Sequence, residues 1–592
     1  LKEFESGKKN SALKKMKLYI KHNQKDYKNK YNYAVMLEKN NQTDEAVDNY
    51  YEVLEFDNNN WRALTNLYLI YFDREEYDRS LKLVNQVLNL YPDNQSTLRD
   101  AAHIHFYLEN LDEAKKYVEK SIKINPKDYI ALNIYGMILD KQGLFDEAKK
   151  IYLHTINNIN KDYYPSYSNL GKTLLELKEP NEAIEILKKG LGINPDFINA
   201  QNNLANAYYQ IGLYNEAINI YKKILEKEPN HKEVNSNIAI SYYYINDFVN
   251  TEKYFEITKK IHSEDVNFQK NYAHYLLYKQ NYKEAWHNYW DSRLKVDEYY
   301  ISNEWKTKIR PNIYTGVNLN KEDNILIIKE QGIGDEILYS TMYPDLLKNY
   351  PNCKIETEKR LISLFQRSYK AEKNIVPFLS ISSMSENISN YNKIICSGSL
   401  GKFFRNDLND FPKHNYLTPD KKIFEKLNNI LKLNNDKKKV GISWKSKRKF
   451  YGDGKSIELC HLKNILANTE IDFINLQYGD VSEDKIKLKN QCNLALTEIE
   501  DIDLMNDFEK ISALLCNLDL FVTVSNLTAH LAGALNVPTI LIKPKSYALF
   551  HYWSQPKNTT PWYGSIEMIN QESSIDNFIY KLNNKIIQKL EK

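Results

Sequence analysis

Cysteine is sparse in this 592-residue chain: Cys353, Cys396, Cys460, Cys492 and Cys516, an odd set with no C-x-x-C spacing and none before position 353. That excludes a disulfide framework and the common zinc-finger spacings, and it reads as reduced thiols in a cytoplasm. An excess of one charge is also lacking. The chain sets 81 Lys and Arg against 77 Asp and Glu, a net charge of +4 with both signs interspersed, which removes the electrostatic case for a nucleic-acid partner. No apolar stretch approaches the roughly 20 residues that cross a bilayer, and no charged-then-apolar leader is visible at the start. A cytoplasmic protein with at most peripheral membrane contact is expected.

What the chain does have is period. A small residue recurs at Ala46, Ser80, Ala114, Ala148, Ala183, Ala217, Thr251 and Ala285, every step 34 residues except one of 35. Earlier in each unit stand Ala34, Tyr68, Ala102, Gly136, Gly171, Ala205, Ala239 and Ala273, where one helix must approach its partner closely; only Tyr68 is bulky. Pro92, Pro126, Pro195 and Pro229 close units, where a missing N–H and a fixed φ stop a helix. These eight registered units, over residues 1–295, resemble the tetratricopeptide repeat. Ala12 lies one further period before Ala46, so the start is expected to be the second helix of a ninth, truncated unit; position 1 is Leu, which leaves the place of the natural N-terminus open.

Stacked helix pairs form a superhelix lined by the first helix of each pair. Two positions before the close-approach residue come Asn32, Asn66, Asp100, Ile134, Asn169, Asn203, Asn237 and Asn271. A carboxamide donates and accepts at once, so such a row can clamp an extended peptide backbone without reading its side chains. It resembles the row in O-linked N-acetylglucosamine transferase. The other reading is repeat chemistry alone, in which each Asn satisfies neighbouring groups.

Residues 296–322 carry no sustained period and read as a linker. Trp286, Tyr289, Trp290 and Trp305 cluster there and are expected to pack the last repeat onto the next domain. Beyond it, β-branched runs at 325–328, 354–357, 393–396, 440–444, 472–476, 520–525 and 539–542 alternate with helical patterns, which predicts parallel sheets with crossover helices. A polar gap near 432–439 divides them into two Rossmann-like lobes, 323–431 and 438–592, with ligands at the carboxyl ends of the strands. The final helix, with Ile575, Phe578, Ile579, Leu582, Ile586 and Leu590 on one face, packs on one lobe or crosses to the other.

Three segments carry candidate chemistry. The turn Gln331-Gly332-Ile333-Gly334-Asp335-Glu336 brings bare backbone and a carboxylate to a helix start. Ile337 stands where a dinucleotide fingerprint has its third glycine. After Val440-Gly441-Ile442-Ser443-Trp444 come Lys445, Lys447, Arg448, Lys449, Gly452, Gly454 and Lys455, a basic loop suited to a diphosphate. A buried strand then runs through Ser525, Asn526, Leu527 and Thr528 into the helix of His530, whose N-terminal amides can face an anion. Asp501-Ile502-Asp503 imitates a metal motif but precedes a helix and reads as its cap, so no metal is assigned.

G-x-G-D-E followed by Tyr343-Pro344-Asp345-Leu346 resembles the first-lobe motif of the lipopolysaccharide heptosyltransferase family, and Arg360-Leu361, Phe365-Gln366-Arg367-Ser368 and Ser397-Gly398-Ser399-Leu400 resemble its repeat-bearing bacterial members. The resemblance implies a GT-B-type α/β domain with acceptor bound by the first lobe and nucleotide-sugar by the second. It places the catalytic base on Asp335 and donor or phosphate contacts on Gly332, Gly334, Ser443, Lys445, Ser525, Asn526, Leu527, Thr528 and His530. The family's D-T-G before the histidine is replaced by Ser525, Asn526 and Leu527. A P-W-Y segment, here Pro561-Trp562-Tyr563, is similar to one in that subfamily and offers Trp562 and Tyr563 for sugar or base stacking.

The expected function is an inverting, metal-independent glycosyltransferase that moves a sugar from a nucleotide-sugar, used as substrate with no further cofactor, to a hydroxyl of a protein or glycan. A helix start favours the ionised Asp335 that such a step needs. The alternative is a non-catalytic adaptor whose repeats bind a partner and whose transferase-like domain is degenerate.

Overall fold

The computed structural model describes residues 2–296, 304–378, 388–434, 437–446, 452–544, 550–553, 555, 557–571 and 574–591. The chain forms two compact units, Leu1–Ile220 and Tyr221–Lys592.

The first unit is built of helix pairs. Asp26, Asn60, Asn94 and Asp128, one period apart, cap successive first helices by accepting from the amides of Asn29, Ala63, Thr97 and Ala131, which satisfies donors a helix start leaves bare. Small residues then let the pair close. A Cβ on Gly136 would lie 2.5 Å from Tyr152 Cε1, and one on Gly171 would lie 2.4 Å from Leu187 Cγ. At the bulky Tyr68 the Ser80 hydroxyl donates to the Tyr68 carbonyl at 2.7 Å, and Tyr68 Oη donates to Asp100 Oδ2 at 2.9 Å. The single 35-residue step has a local cause. Helix Phe145–His154 continues as a π-helical turn, Thr155–Ile159, which takes up the extra residue.

The second unit begins with the remaining repeats, including helices Lys232–Tyr244, Phe248–His262 and Val266–Tyr278. Within the stretch read as a linker, residues 304–313 are part of the next core. Trp305 and Ile309 pack with Leu294, Leu326, Ile328 and Ile394, and Ile313 pairs in parallel with Ile394. Its apolar residues are too few and too irregularly spaced to show a period, yet they cover one face of a sheet.

Two sheets complete the unit, both with helices in their connections. The first comprises β1 Ile325–Ile328, β2 Lys354–Thr357, β3 Ile375–Pro377 and β4 Lys393–Cys396, all parallel, in the order β3-β2-β1-β4. The second comprises β5 Lys438–Ser443, β6 Ile471–Asn475, β7 Leu520–Val524, β8 Thr539–Ile542, β9 Thr559–Thr560 and β10 Tyr563–Ile569, in the order β6-β5-β7-β8-β10-β9, with only β9 antiparallel. β3 escapes a reading by pattern because it is three residues at an edge ending in proline. β10 escapes because Gly564 and Ser565 break its apolar alternation, so Tyr563 opens a strand rather than sitting in a loop. The last helix, Ile575–Leu590, buries Phe578, Ile579, Leu582 and Ile586 against the second sheet's core, with Val440, Leu520 and Ile540, and so settles on that sheet.

Candidate functional site

Buried charge holds the turn after β1. Glu330 is fully buried, and both of its oxygens lie 2.8 Å from Nη2 of Arg293, itself buried at the end of the repeats. The Gly398 amide donates to Glu330 Oε1 at 2.6 Å. A Cβ on Gly398 would lie 2.0 Å from that oxygen, so only glycine fits. On the far side of the turn Glu336, also fully buried, pairs with Lys329 at 3.0 Å and accepts from Thr357 Oγ1 and the Glu358 amide.

Between these anchors the backbone does not use its glycines as expected. The left-handed residue is Gln331, at φ 58°. Gly332 is extended (φ −93°, ψ 168°), and its amide donates to Asp335 Oδ2 at 3.2 Å, which orients the half-exposed carboxylate. Gly334 serves a close approach instead: a Cβ there would lie 3.1 Å from His530 Cδ2. Helix Ile333–Tyr339, which carries Asp335, therefore packs on helix Leu527–Ala534, which carries His530.

His530 is buried, its Nδ1 2.9 Å from Tyr563 Oη, with the rings of Tyr552 and Trp553 beside it. Burial first, and the Lys455 charge second, push its pKa down to about 3. It is a neutral imidazole across the physiological range, so it can hydrogen-bond a phosphate but cannot neutralise one. Lys455, only 5% exposed, lies with its ammonium 4.4 Å from the Phe550 ring centroid. In sequence it is one cation of several in a basic loop; packing sets it apart.

Lys445 is placed differently from expectation. Its ammonium sits 2.6 Å from Asp484 Oδ2, and it lines a separate cavity with Ser456, Cys460 and Lys487. Ser443 is buried, donating to Gln477 Oε1 at 3.0 Å and accepting from Asn526 Nδ2 at 2.7 Å, so its hydroxyl joins β5 to the turn after β7. Asn526 also caps the His530 helix by accepting from the Ala529 amide. Leu527 and Thr528 form the first turn of that helix, and Ser525 Oγ accepts from Trp553 Nε1 at 3.0 Å. Lys447, Arg448 and Lys449 lie outside the described residues.

Trp562 and Tyr563 are 2% exposed, with no open face for stacking a base or sugar. Trp562 meets Phe411, Trp286 and His551, while Tyr563 covers Gly533 and binds His530. Apolar rings gain more from burial than from an open cleft, and here they join the last repeat to the sheets. Trp286 completes that junction by donating from Nε1 to the Arg405 carbonyl at 2.8 Å.

In the first unit the asparagine row reaches between repeats. Asn66 Nδ2 donates to Tyr50 Oη at 2.7 Å and Tyr31 Oη at 3.3 Å, Asn169 to Asn133 Oδ1 at 3.0 Å, and Asn203 to the Ser168 carbonyl at 3.1 Å. Asn32 turns to Asn29 of its own helix. In the second unit Asn237 hydrogen-bonds Tyr221, and Asn271 is half-buried on Val266–Tyr278. These bonds match the second reading of the row, satisfaction of neighbouring groups.

Among the described residues no group of three or more His, Cys, Asp or Glu could hold a metal, and no helix is long and apolar enough to cross a membrane. Asp503 accepts from the Asn506 side-chain amide and from the backbone amides of Met505 and Asn506, which lowers its pKa, the side-chain bond most. The helix Phe508–Leu515 is capped instead by Asp507.

Residues 100–128 and 174–239 match tetratricopeptide-repeat families. Over 256 residues the chain is 28% identical to Protein FlbA of Caulobacter vibrioides, spanning 41% of this chain and 42% of that protein, so the match covers less than half of the relative. Among solved structures, YrrB, a TPR protein with an unusual peptide-binding site, is 23% identical and covers 31% of this chain and 95% of its own, with a TM-score of 0.27. A tetratricopeptide repeat protein from Parabacteroides merdae is 17% identical, covers 40% and 94%, and has a TM-score of 0.38. The N-terminal part of the chain is an array of tetratricopeptide repeats.

Proposed function

We propose that the α/β part is a glycosyltransferase that moves a sugar from a nucleotide-sugar to a hydroxyl of a protein or glycan, and that the repeats present the acceptor or a partner protein. One observation carries the reading. The Asp335 turn, after β1 of the first sheet, and the His530 helix, after β7 of the second, meet where Gly334 admits the imidazole.

In this reading Asp335 takes the proton of the acceptor hydroxyl as its oxygen attacks the anomeric carbon from the side opposite the leaving nucleoside diphosphate, with inversion. Gly332 holds the carboxylate in place. The backbone amides at the start of helix Leu527–Ala534 and the Lys455 ammonium stabilise charge growing on the diphosphate. His530 adds a hydrogen bond without charge. Lys445 is secondary because Asp484 already neutralises it.

Thermal denaturation with ADP, GDP, UDP and CMP and their sugar conjugates tests the donor site: a ligand at about 100 times its Kd adds roughly 2.7 kcal/mol. Asp335→Asn is expected to keep that stabilisation and lose transfer; near-normal transfer would remove Asp335 as the base. A second reading, a non-catalytic adaptor, draws on the occupied side chains of Ser443, Lys445 and Ser525. No response to any nucleotide would favour it.

A further inference from the structure

Two of the five cysteines meet at the edge of the second sheet, outside the site just described. Cys460 lies in the turn Leu459–Leu462 and Cys492 ends the helix Ser482–Cys492; these elements pack on each other. Both thiols sit at the rim of one apolar core, beside Leu459, Leu462 and Leu488, and both are partly exposed, whereas Cys353 and Cys396 are buried. The two side chains are near enough for Cys492 to raise the Cys460 thiol. Cys460 also lines the cavity shared by Lys445, Asp484 and Lys487, which gives a small reagent a way in.

We infer that Cys460 and Cys492 are a thiol pair that closes to a disulfide when the protein meets a low-molecular-weight disulfide such as oxidised glutathione. One deprotonated cysteine attacks a glutathione sulfur, forming a mixed disulfide and releasing one glutathione thiolate. The second cysteine thiolate then attacks the protein sulfur and releases the other. Two protein thiols are oxidised, one glutathione disulfide is reduced to two thiols, and the two cysteine protons end, by way of solvent, on the two glutathione sulfurs.

The bond ties the helix bearing Asp484 to the turn that comes after Lys455 and Ser456, so oxidation fixes the wall on which Lys445 is held. Burial and the neighbouring Cys492 raise the Cys460 thiol above its ordinary range, while Lys487 opposes the shift. Closure therefore quickens as pH rises. The inference is independent of the glycosyltransferase reading.

The test incubates the full chain with oxidised glutathione, blocks free thiols by alkylation, and maps the digest by mass spectrometry. The expected result is one cross-linked pair of peptides, containing Cys460 and Cys492, that dithiothreitol separates. Cys460→Ser and Cys492→Ser should each lack it and carry glutathione on the remaining cysteine. Hydrogen exchange along Ser482–Cys492 should slow in the oxidised wild type and not in either variant. Alkylation of both thiols after oxidation, or separate glutathione adducts on both without the cross-link, would overturn the pairing.

Discussion

Gly171 and Gly398 are both glycine because another side chain occupies the space of a Cβ, but the intruder differs. At Gly171 it is Leu187 of the partner helix in the same repeat. At Gly398 it is Glu330, 68 residues away, itself gripped by Arg293 from the end of the repeats. The repeat array is stabilised by neighbours in sequence, one pair at a time. The α/β part relies on a few buried groups that distant segments must deliver together.

The largest expected effect lies in the α/β part. Glu330→Ala takes from the buried Arg293 guanidinium one of its two carboxylates, leaving Asp291 at 3.2 Å, and should cost up to about 5 kcal/mol. Urea denaturation would read it, and a loss under about 1 kcal/mol would mean that the pair does not hold the turn.

Acid separates the regions next. His530 falls from an ordinary value of 6.5 to about 3 in the folded state. Below pH 6.5 the unfolded chain binds a proton that the folded chain refuses, so its contribution is present above 6.5 and lost as pH falls toward 3. Between pH 6.5 and 4 that amounts to about 3 kcal/mol, and His530→Gln should flatten the stability profile by a similar amount. His103 in the repeats is pushed only to about 4, mainly by burial, so the change on His103→Gln should end a unit higher. Identical acid profiles for the two variants would break the comparison.

Gly171→Ala should cost about 1–3 kcal/mol through overpacking against Leu187. Hydrogen exchange should show the loss confined to that repeat and its neighbours; uniform loosening would contradict the local account. Smallest of all, Asp484→Asn removes the partner of a half-exposed Lys445 and should change stability by less than about 1 kcal/mol in a urea melt.

The repeats were legible because their pattern is short-range and reiterated: small residues, caps and terminal prolines recur every 34 residues, and the one 35-residue step appears as a π-turn at Thr155–Ile159. Less legible was the left-handed residue between paired helices. It is glycine at Gly143 and Gly212, asparagine at Asn41 and Asn246, and Glu75, Glu109, Lys178 and Gln280 elsewhere, so residue type does not mark it. In the α/β part the stronger strands showed through their β-branched runs, and β3 and β10 did not. Asp335 and His530 were marked by motif, and their meeting depends on Gly334. Trp562 and Tyr563 looked like stacking surfaces because an aromatic cluster reads the same whether it lines a cleft or fills a junction.

Sequence alone determined the repeat period, the helix pairing, the parallel-strand character of the chain beyond the repeats and the segments that carry candidate chemistry. Each of these depends on residues close along the chain or on a pattern repeated often enough to count. Tertiary structure decided that Arg293 neutralises Glu330, that Lys445 is held by Asp484 while Lys455 stands near His530, and that His530 is neutral. Those outcomes turn on burial and on partners tens to hundreds of residues away, and the energy of a charge depends on what surrounds it rather than on what precedes it.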